Sequence, residues 1–454
     1  MQAETAAPLA RRLKNRHIQM IALGGAIGTG LFYGSAASIQ LVGPSVILSY
    51  VIGGAVIYLI MRMLGEMSVQ EPVAGAFSHF AFKYCGPFAG FVSGWNYWLL
   101  YVLVSMAELT VVGIYVGYWF PDIPGWATAL TVLVAITAIN LINVRFFGEA
   151  EFWFALVKVA AVIGMIVLGL VLIVFGLGGP ATGVGNLWQH GGFLPHGMTG
   201  LVLSLAVVMF SFGGTELIGI TAGEAEEPRK SIPRAIRQVM WRILIFYVGS
   251  LTVLLVIFPW SRVGMDGSPF VTIFSQLGIP AAAHILNFVV LTAAISVYNS
   301  AIYSNGRMLY SLAEQGNAPR IFKTVSANKI PYVAILFSSS CTLAAVILNY
   351  LIPGSAFMQI MAVATAAAAL TWVLIIVVHL RFRRQRETAR APSFFPALFH
   401  PAANYLCIGF MVLLLGVMSQ LEDMKSAVYV LPIWLAVLAV SYGCKMGFRS
   451  QRAS

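Results

Sequence analysis

Charge is scarce in this 454-residue chain. Asp, Glu, Lys and Arg together make up 9% of it, where a soluble globular domain carries about 25%. Acidic residues are the scarcer kind, 16 against 27 Lys and Arg, which leaves a net charge of +11. That balance excludes an ordinary water-soluble domain. It does not point to nucleic acid, because the basic residues are split among separate short loops. Cysteine is sparse too. Cys85, Cys341, Cys407 and Cys444 lie in or beside apolar stretches without metal-ligand spacing, and read as small buried packing residues. There is no Walker loop, nucleophile elbow or zinc ligand set, so no residue constellation supports an enzyme, a metal or an organic cofactor. A cleavable signal pattern is also lacking, and the first apolar segment is expected to act as its own insertion signal.

What fills the chain instead is hydrophobic residues, 59% of the total. Roughly 20 consecutive apolar residues cross a bilayer as a helix. By that measure the chain predicts an all-α polytopic membrane protein with twelve spans. They lie near 17–41, 46–68, 86–118, 125–144, 150–177, 198–222, 240–259, 281–312, 332–352, 356–380, 402–419 and 428–446. The third, fifth and eighth exceed what a span needs, so tilt or an extra-membrane extension is expected. Basic residues set the orientation. With the N-terminus inside, the cytoplasmic face holds Arg11, Arg12, Lys14 and Arg16, then Arg229, Lys230, Arg234 and Arg237, and later the run Arg381 to Arg390. The outside loops hold only Arg262 and Lys425, a strong positive-inside bias that places both termini in the cytoplasm. Tyr118, Trp119 and Trp126 bracket one outside loop as interfacial anchors.

Within this frame, residues 1–16 are a cytoplasmic tail and 17–180 a first set of five helices. Residues 181–197 form an outside loop, 198–380 a second set of five, and 381–401 a cytoplasmic linker. Residues 402–446 carry two further helices and 447–454 a cytoplasmic tail. Five is odd, so the second set enters from the opposite side, the arithmetic of an inverted repeat. The polar loop from Gly223 to Pro233 is expected to end the sixth helix, with Pro228 and Pro233 shaping a turn. The segment Leu312 to Pro319 reads as a helix exit with Gly316 and Asn317 past the cap.

Glycine breaks the first helix of each set. One break runs from Gly24 and Gly25 through Gly28-Thr29-Gly30, the other from Phe210 through Ser211, Phe212, Gly213 and Gly214. Irregular backbone at membrane depth is tolerated only where it lines a cavity or is buried in protein. Paired interruptions are the best sequence pointer to a transport site. The plainer reading of the first break is a small-residue packing face, since Gly24 and Gly28, and Gly30 and Gly34, are four apart. An unwound Gly28-Thr29-Gly30 would offer N–H groups and a positive helix end to a carboxylate. Carbonyls around Phe210, Ser211 and Gly213 would accept from an ammonium, and the pair describes an α-amino acid site. Phe210 would close over the substrate as a gate, or simply pack in the core.

Ionisable groups inside a bilayer are functional candidates by default. Glu108, Lys158 and Glu216 stand mid-span or beside a break, as candidate proton-coupling groups or partners in a structural ion pair. Lys158 in particular would replace a sodium ion as coupling cation. Arg16, Glu66, Glu149 and Glu224 form an inside gate or, more plainly, solvated helix ends, with Glu66 near Arg62. The seven histidines cluster nowhere in the sequence and receive no role.

The string from Leu13 to Phe32 resembles the opening of bacterial amino acid permeases of the amino acid–polyamine–organocation superfamily. The stretches Phe147–Phe154, Glu216–Glu224 and Ser231-Ile-Pro233-Arg-Ala fit the same frame. Ser93–Trp98, Ser105–Thr110 and Ser296–Asn305 look most like the aromatic amino acid and phenylalanine permeases, although proline and histidine permeases share the frame. The resemblance implies a LeuT-like fold, a five-plus-five inverted repeat with helices 1 and 6 broken, plus two more helices. It implies uptake of Phe, Tyr and Trp by proton symport across the bacterial inner membrane, the proton being the only coupling ion and no protein partner being obligatory. Carried over, Gly28, Thr29 and Gly30 would hold the carboxylate, the carbonyls at Phe210, Ser211 and Gly213 the ammonium, and Lys158 the coupling site. Tyr101, Val104 and Tyr298 are the expected side-chain pocket, on helices three and eight, with helices six and ten completing it. Thr215 departs from the leucine usual in the aromatic permeases, which bears on side-chain preference. Alternatives are a permease for another neutral amino acid, an exchanger, or a membrane sensor that binds an amino acid without moving it.

Overall fold

The structure is a computed structural model that describes residues 27–73, 76–142, 145–222, 227–264, 267–352, 355–389 and 393–451. Among these every regular element is helical and no strand occurs. Nine helical runs are long and apolar enough to cross a membrane, and Gly197–Phe210 and Ala402–Met418 are shorter apolar helices. The first run, Gly34–Gln70, is two helices, because a 3-10 turn at Gly43–Ser45 interrupts it with Gly43 at φ +64°.

In chain order the helices are α1 (Thr29–Phe32), α2 (Gly34–Val42), α3 (Val46–Gln70) and α4 (Ala76–Cys85). Next come α5 (Pro87–Gly117), α6 (Gly125–Ile142) and α7 (Arg145–Val174). The second set begins with α8 (Gly197–Phe210) and α9 (Leu217–Thr221), then α10 (Pro228–Arg242). A π-helical segment, Ile243–Gly249, joins α10 to α11 (Ser250–Ile257). The rest are α12 (Pro269–Gln276), α13 (Pro280–Glu314), α14 (Tyr332–Leu351), α15 (Ala356–Thr388), α16 (Ala402–Met418) and α17 (Lys425–Gln451).

Local chemistry explains the ends. Proline lacks the N–H that a first turn leaves unused and presets its φ, and Pro87, Pro228 and Pro280 each open a helix. α13 ends in a Schellman turn: Gly316, at φ +68°, donates to the Ala313 carbonyl at 2.9 Å and Asn317 to Leu312 at 2.6 Å. That is the exit the sequence predicted. Pro233 does not act as predicted. It sits inside α10 rather than in a turn, early enough that only one backbone hydrogen bond is forgone. At 31, 30 and 35 residues, α5, α7 and α13 are the overlong helices that the sequence anticipated. A 35-residue helix is about 52 Å long, well beyond a hydrocarbon core of about 30 Å.

α5 is the central element, contacting α1, α4, α6, α13, α14, α15 and α17. α2 packs on α8, which brings the two broken helices side by side. Outer helices turn apolar side chains outward: Trp153, Val167 and Val174 on α7 and Tyr429, Ile433 and Val440 on α17 are exposed. Such rows would be a liability in water and are what a bilayer accepts.

One polar cluster ties the linker to the helices. Glu66, expected in a gate or at a solvated end, is fully buried. Its Oε2 accepts from the Ala397 backbone N–H at 2.7 Å and lies 3.0 Å from His379 Nε2, and Arg383 lies 3.2 Å from Oε1. Asn404 bridges His379 and His400, at 3.0 Å to each, so two of the histidines that cluster nowhere in sequence meet here. Arg62 lies over the Phe395 ring at 3.7 Å and donates to the Pro396 carbonyl, rather than pairing with Glu66. Arg16 and Glu224, and the side chain of Glu149, lie outside the described residues. Beside this cluster, Lys83 donates to Glu71 at 2.7 Å and Tyr84 at 2.6 Å. Partial burial works against the Glu71 carboxylate, yet these hydrogen bonds hold its pKa below the ordinary value.

Candidate binding site at the broken helices

Gly28 caps α1 in extended conformation, and Thr29–Phe32 form a single turn before the chain re-enters helix at Gly34. As the first residues of a helix, Thr29 and Gly30 have N–H groups with no intrahelical acceptor. Glycine is required here for proximity. A Cβ on Gly30 would come within 2.6 Å of Ser211 Cα, backbone of the second break. A Cβ on Gly28 would sit 3.3 Å from Glu108 Oε1. Gly24 and Gly25 lie outside the described residues.

In the second break, α8 stops at Phe210 and tight i→i+3 bonds replace the helical ladder. Ser211 donates to Val208 at 3.0 Å, Phe212 to Met209 at 3.1 Å and Gly213 to Phe210 at 3.1 Å. Gly214, at φ +90°, supplies a backbone conformation open to glycine at the turn before α9. The break therefore frees fewer carbonyls than an open coil would. The Phe210 oxygen already accepts from Gly213, and the Ser211 oxygen accepts from Tyr247 Oη at 2.8 Å. Each keeps one lone pair for a ligand. Tyr247 stacks on Tyr50, whose hydroxyl lies 3.1 Å from Ser211 Oγ. Thr215 is buried with its hydroxyl turned back to the Phe212 carbonyl at 3.0 Å, so its side chain shapes the break rather than a pocket.

Between the breaks lies a small cavity of about 50 Å³. Gly28, Thr29 and Gly30 line one side and Phe210, Ser211, Gly213 and Gly214 another. α5 supplies Leu100, Tyr101, Val104 and Glu108; α13 supplies Val297 and Ser300; Glu216 and Leu217 close it. Most of the residues predicted for the site thus meet around one space. Tyr298 does not. It is buried, and the 100° step per residue of a helix turns its neighbours Val297 and Ser300 to the cavity instead. The tenth apolar stretch gives no wall residue either. Its Phe357 stands behind Phe210, edge to face at 6.1 Å, and holds that ring from the rear.

Three buried ionisable side chains, Glu108, Glu216 and Lys158, stand at or behind the cavity. Thr29 Oγ1 donates to Glu108 Oε1 at 3.0 Å, and Glu108 Oε2 has no hydrogen-bond partner among the described residues. Glu216 Oε1 accepts from the Gly214 N–H at 3.2 Å, fixing the second break. Lys158, fully buried, is not on the cavity wall. It sits behind, in electrostatic reach of Glu108 and of Glu151. Glu151 was not singled out from sequence, though its spacing of seven from Lys158 puts both on one helix face.

A polytopic helical protein with two interrupted helices facing a buried cavity has the plan of a secondary transporter. The amino acid permease family model matches residues 17–452. The aromatic amino acid transport protein AroP of Escherichia coli (strain K12) is 56% identical over 434 residues, covering 96% of this chain and 95% of its own. AroP of Salmonella typhimurium (strain LT2) is 56% identical over 437 residues, covering 96% of each chain. The uncharacterized amino acid permease YtnA of Bacillus subtilis (strain 168) is 48% identical over 451 residues, covering 98% of this chain and 97% of its own. The chain belongs to the amino acid permease family. It is therefore a multi-pass membrane transporter of small amino acid substrates and not an enzyme.

Proposed function

We propose that this chain imports Phe, Tyr and Trp across a bacterial inner membrane by proton symport with alternating access. The proposed architecture is twelve spans in a LeuT-like five-plus-five inverted repeat plus two helices, both termini in the cytoplasm. The observation that carries the reading is the meeting of both helix breaks around one cavity, with Glu108 on its wall and Lys158 behind it. The names of the AroP relatives support the aromatic substrate.

In this reading the substrate carboxylate binds the N–H groups at Gly28, Thr29 and Gly30. The remaining lone pairs at Phe210 and Ser211, with Gly213, take the ammonium. Leu100, Tyr101, Val104 and Val297 receive the ring, and Phe210 closes over it. Coupling follows from proximity. Glu108 touches the carboxylate end through Thr29, and two carboxylates that share a site repel unless one holds a proton. A protonated Glu108 admits the substrate, and Lys158 behind it passes the charge on. Glu216, holding the second break in shape, is the candidate relay on the ammonium side.

The test is uptake of labelled phenylalanine into proteoliposomes with an imposed pH gradient and no sodium, for the native chain and Lys158→Ala. Accumulation by the native chain, lost in the variant while binding persists, supports the reading. Accumulation that ignores the gradient in both proteins refutes the coupling.

A further inference from the structure

Glu151 is a buried carboxylate that the cycle above leaves unused. It lies in the second turn of α7, 1% exposed, and accepts from Ser296 Oγ of α13 at 2.7 Å. Ser300, one turn further along α13, also faces Glu151 and lines the substrate cavity. Lys158 stands on the same face of α7, two turns on, within electrostatic reach of both Glu151 and Glu108. Three buried groups therefore form a row. Glu108 is on the cavity wall, Lys158 is behind it, and Glu151 is furthest toward the start of α7.

Among the described residues, the charges of that row do not balance. One ammonium and two carboxylates sum to −1, and an uncompensated charge in a buried site is costly. One additional proton brings the row to neutrality, and coupled groups of this kind share such a proton rather than assign it to one residue. In the proposed topology α7 starts at the cytoplasmic face, so Glu151 is the member nearest that side.

We propose that Glu151 is the exit acceptor of the transported proton, taking it from Lys158 and releasing it to the cytoplasm. This rests on the proton-symport reading above. The proton first resides on Glu108 as the acid. Lys158 gives one of its N–H protons to a carboxylate oxygen of Glu151, and the resulting amine takes the proton of Glu108. Lys158 begins and ends as an ammonium, Glu108 becomes a carboxylate and Glu151 an acid. Glu151 then gives its proton to cytoplasmic water and returns to the carboxylate held by Ser296. Substrate exchange, which moves no net proton, does not need this last acceptor.

That separation gives the test. The full chain is reconstituted in proteoliposomes, and two activities are compared: phenylalanine accumulation driven by a pH gradient, and exchange against internal phenylalanine without a gradient. Glu151→Gln, nearly isosteric, is expected to cut gradient-driven accumulation on the order of 100-fold, the scale of losing a positioned proton-transfer group, with exchange near native. Glu151→Asp, which keeps the acid, is expected to restore part of the accumulation. If Glu151→Gln does not reach the membrane folded, Ser296→Ala serves in its place, with accumulation lowered and exchange retained. Native-like accumulation in Glu151→Gln, or equal loss of accumulation and exchange in either variant, overturns the assignment. A native chain that fails to accumulate phenylalanine under the gradient removes the symport reading and this inference together. Native accumulation with an indifferent Glu151 removes only the inference.

Discussion

Gly30 and Gly34 look alike in sequence, four apart in a stretch of small residues, yet the structure separates their roles. A Cβ on Gly30 would strike the backbone at Ser211, whereas one on Gly34 would meet nothing closer than 3.8 Å. Gly30→Ala is expected to force the breaks apart, abolish uptake and lower stability by about 1–3 kcal/mol, the usual cost of overpacking. Gly34→Ala should leave both near native. Uptake assays paired with thermal unfolding in detergent check the contrast. The sequence supplied the density of glycine but not this distinction, because spacing reports one helix and contact involves two. Tyr298 shows the same limit. Polar residues of α13 such as Ser296, Asn299, Ser300, Ser304 and Asn305 are spread around its axis, so no single polar stripe betrays its phase, and the reading landed one and two residues from Val297 and Ser300. Glu108 and Lys158 were legible because a charge inside an apolar run needs no phase to be noticed. Glu151, nearer the end of its run, was not singled out.

At the scale of elements, the described helices overlap the expected spans, but α10 begins at Pro228 where a span was expected from 240, α15 runs to Thr388 into the expected linker, and residues 17–26 of the first span lie outside the described residues. The Leu312–Asn317 exit was read correctly from Gly and Asn chemistry. The linker was not. Its basic run Arg381 to Arg390 spoke only of topology, while Glu66 reaches Ala397 across 331 positions. Nothing local encodes a pairing of that range. Glu66→Ala leaves the Ala397 N–H, His379 and Arg383 without their acceptor, and should cost about 1–3 kcal/mol. Glu66→Gln keeps an oxygen at the same place and should cost less. Thermal unfolding of the two variants in one detergent ranks them, and equal melting temperatures would show that the cluster holds nothing together.

For the whole molecule, the cavity is divided between polar groups at the breaks and the apolar side chains of Leu100, Val104 and Val297. A site so divided accepts a zwitterionic head and an apolar or aromatic tail, and gains little from a charged side chain that must be desolvated. Unlabelled tyrosine and tryptophan are expected to suppress phenylalanine uptake in proteoliposomes at low excess. Lysine and glutamate should leave it unchanged at the same excess. Suppression by either charged amino acid would mean that Glu216 or Lys158 meets the side chain directly. The fold class was plain from composition because twelve apolar runs leave few alternatives. The substrate end was less so, since its walls come from helices far apart in the chain.

The π segment Ile243–Gly249 has a consequence of another kind. A π turn carries about one residue more than an α turn over the same rise. Counted along the chain, the segment is a stored insertion of a single residue. Everything beyond it is rotated by about 100° from where an unbroken α-helix would have carried it. Val253, lodged against Gly169 of α7, keeps that contact only in this phase. A related chain one residue shorter within this stretch, wound as plain α-helix, would align with this one everywhere else and still turn the same face to α7.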